Sequence, residues 1–130
     1  MSTTGTKNIQ AFVLVNERTN AEGIVDMLGQ RGISATVGTD PEKALGLCAS
    51  QSPNLVVVEN DLSSMSGARF LAELLKISWT TSSILIWDED EEIVHEKTEG
   101  LGILGSIRSV QNKEGLNKLV DKFFTLGMVG

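Results

Sequence analysis

The chain has 130 residues, a formal net charge of −6 and 41% hydrophobic side chains, enough for one domain that buries roughly two-thirds of its unfolded surface without metal or disulfide. An acidic balance with no basic cluster excludes the phosphate-neutralising surface of a nucleic-acid binder, and no apolar run approaches the roughly 20 residues that span a bilayer. The polar start Met1-Ser2-Thr3-Thr4-Gly5 has no signal-peptide core, and the single Cys48, which has no disulfide partner in the chain, favours a reducing, cytoplasmic setting.

Residues 1–8 read as a polar, disordered segment ahead of a domain over 9–126. The first apolar run, Ala11-Phe12-Val13-Leu14-Val15, is short and continuous, the mark of a strand covered on both faces. Ala21, Ile24, Val25 and Leu28 then keep a helical period that Gly32 ends. Ile33 to Val37 is a weaker strand, diluted by Ser34 and Thr36, and belongs at a sheet edge. Asp40-Pro41 reads as an N-cap with proline at the first helical position; Cys48 falls beside Ala44 and Leu45 on that helix's apolar stripe, a small buried hydrophobe. Leu55-Val56-Val57-Val58 is the third strand. Leu71, Leu74, Leu75 and Ser78 mark the third helix, with Trp79 expected to cap its packing. Ile84-Leu85-Ile86-Trp87 is the fourth strand.

Asp88 to Glu99 is the poorest helix, with only Ile93 and Val94 apolar, so it should be short and loosely docked. Ile103 to Ile107, interrupted by Gly105, is a second weak edge strand. The last helix is the clearest, its Leu116, Leu119, Val120, Phe123 and Phe124 spaced i, i+3, i+4, i+7, i+8. Residues 127–130 form a tail, and with Leu126 they add Met128 and Val129 as apolar side chains beyond the last helix. Strict alternation of strand and helix predicts an α/β, flavodoxin-like (βα)5 fold, a five-stranded parallel sheet with helices on both faces.

In such a sheet a site forms at the carboxyl ends of the strands, where strand order reverses between the first and third. Asn16-Glu17-Arg18 follows the first strand and Glu59-Asn60-Asp61 the third, so acidic residues converge there. The stretch from Pro53 through Val58 to Glu59, followed by Met65-Ser66-Gly67, resembles the response-regulator receiver family over residues 9 to 126. The family glycine stands eight residues after the phosphoacceptor Asp. Glu59 to Gly67 keeps that spacing, so Glu59 rather than Asp61 holds the acceptor position.

The resemblance implies a site in which Mg²⁺ is held by the acceptor Asp and an acidic pair, while a Ser or Thr ending the fourth strand and a Lys ending the fifth grip the phosphoryl group. In this chain the acidic pair becomes Asn16-Glu17, the hydroxyl position falls on Trp87, and the Lys position falls near Ser109 with Arg108 beside it. Glutamate carries its carboxylate about 1.5 Å beyond an aspartate's. In-line phosphoryl transfer is mostly positioning and charge neutralisation, so such changes disable it. The chain therefore reads as a degenerate receiver: not an enzyme, without cofactor, with at most weak Mg²⁺ binding at Glu17 and Glu59. Arg18, Arg108 or water is expected to satisfy Glu59. The alternative is a phosphorylatable receiver using Glu59 or Asp61 with Mg²⁺, and a more distant one is a small-molecule-binding flavodoxin-like module. A glutamate at this position also resembles the charge of the phosphorylated state.

The expected partners are a signalling protein or effector domain, or a second copy in a homodimer, with neither nucleic acid nor membrane. The interaction face is placed on the fourth helix, fifth strand and last helix, at Ile93, Ile103 and Leu126. Three further features read as structural. Gly100-Leu101-Gly102-Ile103-Leu104-Gly105 spells GxGxxG, but it leaves a helix and enters a strand, the reverse of a dinucleotide site. His95 has no second ligand nearby and belongs to the surface. The run Asp88 to Glu92 suits a helix N-terminus or a basic partner.

Overall fold

Ten regular elements alternate along the chain: β1 (Ile9–Leu14), α1 (Glu22–Gln30), β2 (Ile33–Gly38), α2 (Pro41–Gln51), β3 (Leu55–Glu59), α3 (Gly67–Ile77), β4 (Ser82–Ile86), α4 (Glu91–Thr98), β5 (Gly105–Ile107) and α5 (Lys113–Lys122). A computed structural model describes residues 9–127, so residues 1–8 and the tail residues Met128 and Val129 lie outside the described residues. The strands form one parallel sheet in the order β2-β1-β3-β4-β5. The two diluted strands occupy the edges and the three continuous apolar runs fill the centre, the (βα)5 arrangement that the pattern predicts.

Successive strand side chains point to opposite faces, and each face builds its own core. Ala11, Val13, Leu55 and Val57 pack with Ile24 and Leu28 of α1 and Leu116 and Val120 of α5. Phe12, Leu14, Val56 and Val58 pack with Ala44 and Cys48 of α2, Phe70 and Leu74 of α3, and Val94 of α4. Cys48 is fully buried, and that burial pushes its thiol pKa up to about 11. Asp40 caps α2 as predicted, its carboxylate accepting the Glu42 and Lys43 N–H groups. Across the first core, Arg31 at the end of α1 donates to Asn117 and pairs with Asp121 on α5, its guanidinium 5.5 Å from the Phe124 ring centre. That clamp joins two helices flanking the same sheet face.

Several boundaries differ from the sequence reading. β1 begins at Ile9 and ends at Leu14, β4 ends at Ile86, and β5 covers only Gly105–Ile107, so Trp87 and Ile103 lie just outside strands. Trp79 does not cap a core; it is 78% exposed. The turn before β4 is held by polar contacts instead, Ser78 Oγ bonding Thr81 Oγ1, which donates to the Pro53 carbonyl. Leu75, expected on the buried stripe, is exposed, and α4 docks through Val94 and Thr98 while Ile93 faces outward. The Thr98 hydroxyl donates to the Val94 carbonyl, which is how a threonine serves as an apolar anchor. No helix among the described residues is long and apolar enough to cross a membrane.

α3 starts hard against the end of β3. A Cβ on Gly67 would lie 2.4 Å from the Glu59 carbonyl oxygen and 2.8 Å from Asn60 Cα. Gly67→Ala should therefore destabilise the domain by about 1–3 kcal/mol in urea unfolding, the usual cost of overpacking. Gly46→Ala, in the middle of α2 with nothing within 4 Å of the new Cβ, should stabilise it by about 0.5–1 kcal/mol.

Candidate functional site

Strand order reverses between β1 and β3, and the carboxyl end of β3 carries Glu59 and Asn60 into that crevice. The parity of β3 divides their roles. Glu59 shares the face of Leu55 and Val57 and turns toward α1; Asn60 shares the face of Val56 and Val58 and turns toward α3.

Glu59 Oε1 accepts the Asn16 backbone N–H at 2.8 Å and the Asn20 side-chain amide at 3.3 Å. These two donors, rather than Arg18 or Arg108, satisfy the carboxylate. Arg18 reaches sideways to the Val37 carbonyl at the end of β2. Arg108 pairs with Asp88 at 3.0 Å, on the surface. Such an exposed pair contributes little to stability, but it fixes where the guanidinium points. Ser109, expected near the Lys position, accepts the Gln111 N–H and opens the turn into α5. Among the described residues no hydrogen bond or ion pair joins Arg108 or Ser109 to Glu59. Glu17 and Asp61 are exposed at the rim. Among the described residues, no three His, Cys, Asp or Glu side chains gather into a metal-holding group.

Asn60, buried, has four bonds at this junction. Its N–H donates to the Ile86 carbonyl, its own carbonyl accepts from Leu62 and Gly67, and its Oδ1 accepts the Ala68 N–H at 3.0 Å. Ser66 accepts the Arg69 N–H one residue further on, so two first-turn amides of α3 are satisfied by separate side chains. From the sequence, Asn60 is expected only as part of the loop after the third strand, and Asn20 is not expected at the site. The parity of β3 is the signal for the first. Nothing local marks the second, whose contact spans 39 residues.

Beside this crevice the Trp87 side chain is half-buried against the α2–α3 core, and its backbone N–H donates to the Ile107 carbonyl. It borders an open groove of about 730 Å³ whose walls include Glu89, Glu91, Glu92, Ile93 and Arg108. A second groove of about 590 Å³ adjoins it between α4 and β5, sharing Glu91, Val94 and Ser106 and continuing past His95, Ile103 and Lys122. Ile93 and Ile103 thus line adjoining grooves, whereas Leu126, although 61% exposed, lines neither.

Asn60→Ala should cost about 0.5–2 kcal/mol in urea unfolding, the range for losing a helix-capping acceptor. Asn60→Asp, which keeps an acceptor oxygen, should cost less. Equal stability of Asn60→Ala and the parent would show that Ser66 alone caps α3.

No family model matches the chain, and no curated protein matches it. Its structure is nonetheless similar to many solved ones. A two-component response regulator from Clostridium difficile superposes with a TM-score of 0.81 at 18% identity, covering 92% of this chain and 98% of that one. The signal receiver domain of an HD domain-containing protein from Pseudomonas fluorescens Pf-5 gives 0.82 at 16% identity, over 93% and 98%. A CheY-like response regulator receiver domain protein from Methanospirillum hungatei JF-1 gives 0.83 at 12% identity, over 93% and 97%. At these identities the likeness is one of fold: the chain has the flavodoxin-like (βα)5 architecture seen in CheY-like receiver domains.

Proposed function

We propose that this domain is a receiver-fold signalling module that works by binding a protein partner and not by accepting a phosphoryl group on aspartate. The observation that carries this reading is Trp87. A half-buried indole packed on the core stands where the receiver resemblance puts the hydroxyl that follows the phosphoryl group. Two further arrangements support it. The guanidinium next to the Lys position is drawn off to Asp88, and Glu59 Oε1 already accepts two N–H donors. Mg²⁺ demands near-octahedral oxygen ligands at about 2.0–2.1 Å. Asn16 offers it an amide in place of a second carboxylate, so binding is weak at most.

Incubation with acetyl phosphate and Mg²⁺ should leave the intact mass unchanged. A stoichiometric gain of one phosphoryl group, abolished by Glu59→Gln or Asp61→Asn, would overturn the reading in favour of a phosphorylatable receiver.

The partner surface in this reading is the pair of adjoining grooves between α4 and β5. Ile93, 38% exposed, stands among Glu89, Glu91 and Glu92, an apolar anchor inside a carboxylate rim. A two-fold self-association through this face would set two Asp88–Glu92 runs against each other, and like-charge juxtaposition costs several kcal/mol. The face therefore suits a cationic partner better than a second copy. Sedimentation velocity at micromolar concentration should show a monomer. A dimer dissociated by Ile93→Glu would reverse the assignment and make this the self-association face.

A further inference from the structure

Glu59 is joined to a loop 39–43 residues away in the chain through one oxygen atom. The loop after β1 runs from Val15 through a 3-10 turn, Arg18–Ala21, directly into α1. Its entry residue Glu17 has extended backbone and no side-chain hydrogen bond to the turn, so the turn does not cap itself. Inside the loop the Asn20 N–H returns to the Glu17 carbonyl at 2.9 Å. The Asn16 N–H, just before the turn, and the Asn20 side chain, within it, both go to Glu59 Oε1. Both ends of this short segment thus meet on a single charged acceptor supplied by the central strand.

The reach needs a side chain one methylene longer than aspartate. An aspartate at the end of β3 would withdraw its carboxylate by about 1.5 Å, and N–H···O contacts already at 2.8 and 3.3 Å would open beyond hydrogen-bonding range. The geometry points to a direct carboxylate clasp: Glu59 is a positioning residue that fixes the β1–α1 loop through the Asn16 N–H and the Asn20 amide, so the loop keeps its shape without a divalent cation. Fixing it also fixes Arg18, whose guanidinium then meets the Val37 carbonyl at the end of the edge strand β2. The clasp is independent of whether any side chain accepts phosphate, so its test and that of the proposed function fail separately.

Amide hydrogen exchange followed residue by residue by NMR reads the clasp directly, because the Asn16 N–H is one of its donors. In EDTA, Glu59→Ala and Glu59→Asp should each speed exchange at Asn16 by about tenfold or more, the scale of a charge-assisted hydrogen bond. Exchange at Val57, in the core of β3, should stay within about twofold of the parent. Glu59→Gln, which keeps an acceptor oxygen at the same reach, should recover most of the protection. Glu17→Gln, outside the clasp, should leave Asn16 unchanged, and millimolar Mg²⁺ should not slow exchange there in the parent. Protection at Asn16 that survives in Glu59→Asp and Glu59→Ala would overturn the inference. So would protection that rises tenfold with Mg²⁺ and falls in Glu17→Gln, which would assign the loop to a cation.

Discussion

β3 lies in the middle of the sheet, with neighbours on both sides and a layer of helices over each face. Its five residues obey the two-residue alternation of any strand, and at its carboxyl end that alternation meets two helix starts at once. Because consecutive side chains must face opposite ways, Glu59 goes to the loop ahead of α1 and Asn60 to the first turn of α3. A one-residue slip of β3 would exchange these roles and also turn Leu55 and Val57 into the wrong core. The register of this strand against β1 and β4 therefore sets the cores, the helix starts and the crevice together.

The rest of the molecule loosens with distance from that strand. On the α1 side, the Arg31 clamp and the Phe124 ring hold α5 down, and Lys122 donates to the Leu104 carbonyl at the entrance to β5. On the other side, α4 is anchored by two residues and separated from β5 by open grooves, and β5 is three residues long. Few buried contacts per residue make a low free energy of local opening. The surface with the most freedom to adjust is thus also the one with the densest carboxylates, which suits a face that meets partners.

Much of this was legible from the residues. Continuous apolar runs identify the three inner strands, and diluted ones identify the edges, because burial on both faces removes the need for polar residues. Asp40-Pro41 locates a helix start because capping is local chemistry. Long-range polar contacts were not legible: the partners of Glu59 are two asparagines 39 and 43 residues upstream, and no spacing rule links them to it. Trp79 misled because a large aromatic carries a strong expectation of burial, whereas a hydroxyl network already closes its turn. In the candidate site, chain pattern puts Glu59 at the end of β3 and Trp87 at the end of β4, but no local signal shows that Arg108 turns away to Asp88.

The buried thiol of α2 adds one practical consequence. Cys48 is the only sulfhydryl in the chain, it has no exposed surface, and its raised pKa keeps it in the unreactive protonated form at neutral pH. A thiol reagent reaches it only when α2 lifts from the sheet or the domain unfolds. The rate of alkylation is then a clock for those openings, built into the native sequence and needing no attached dye.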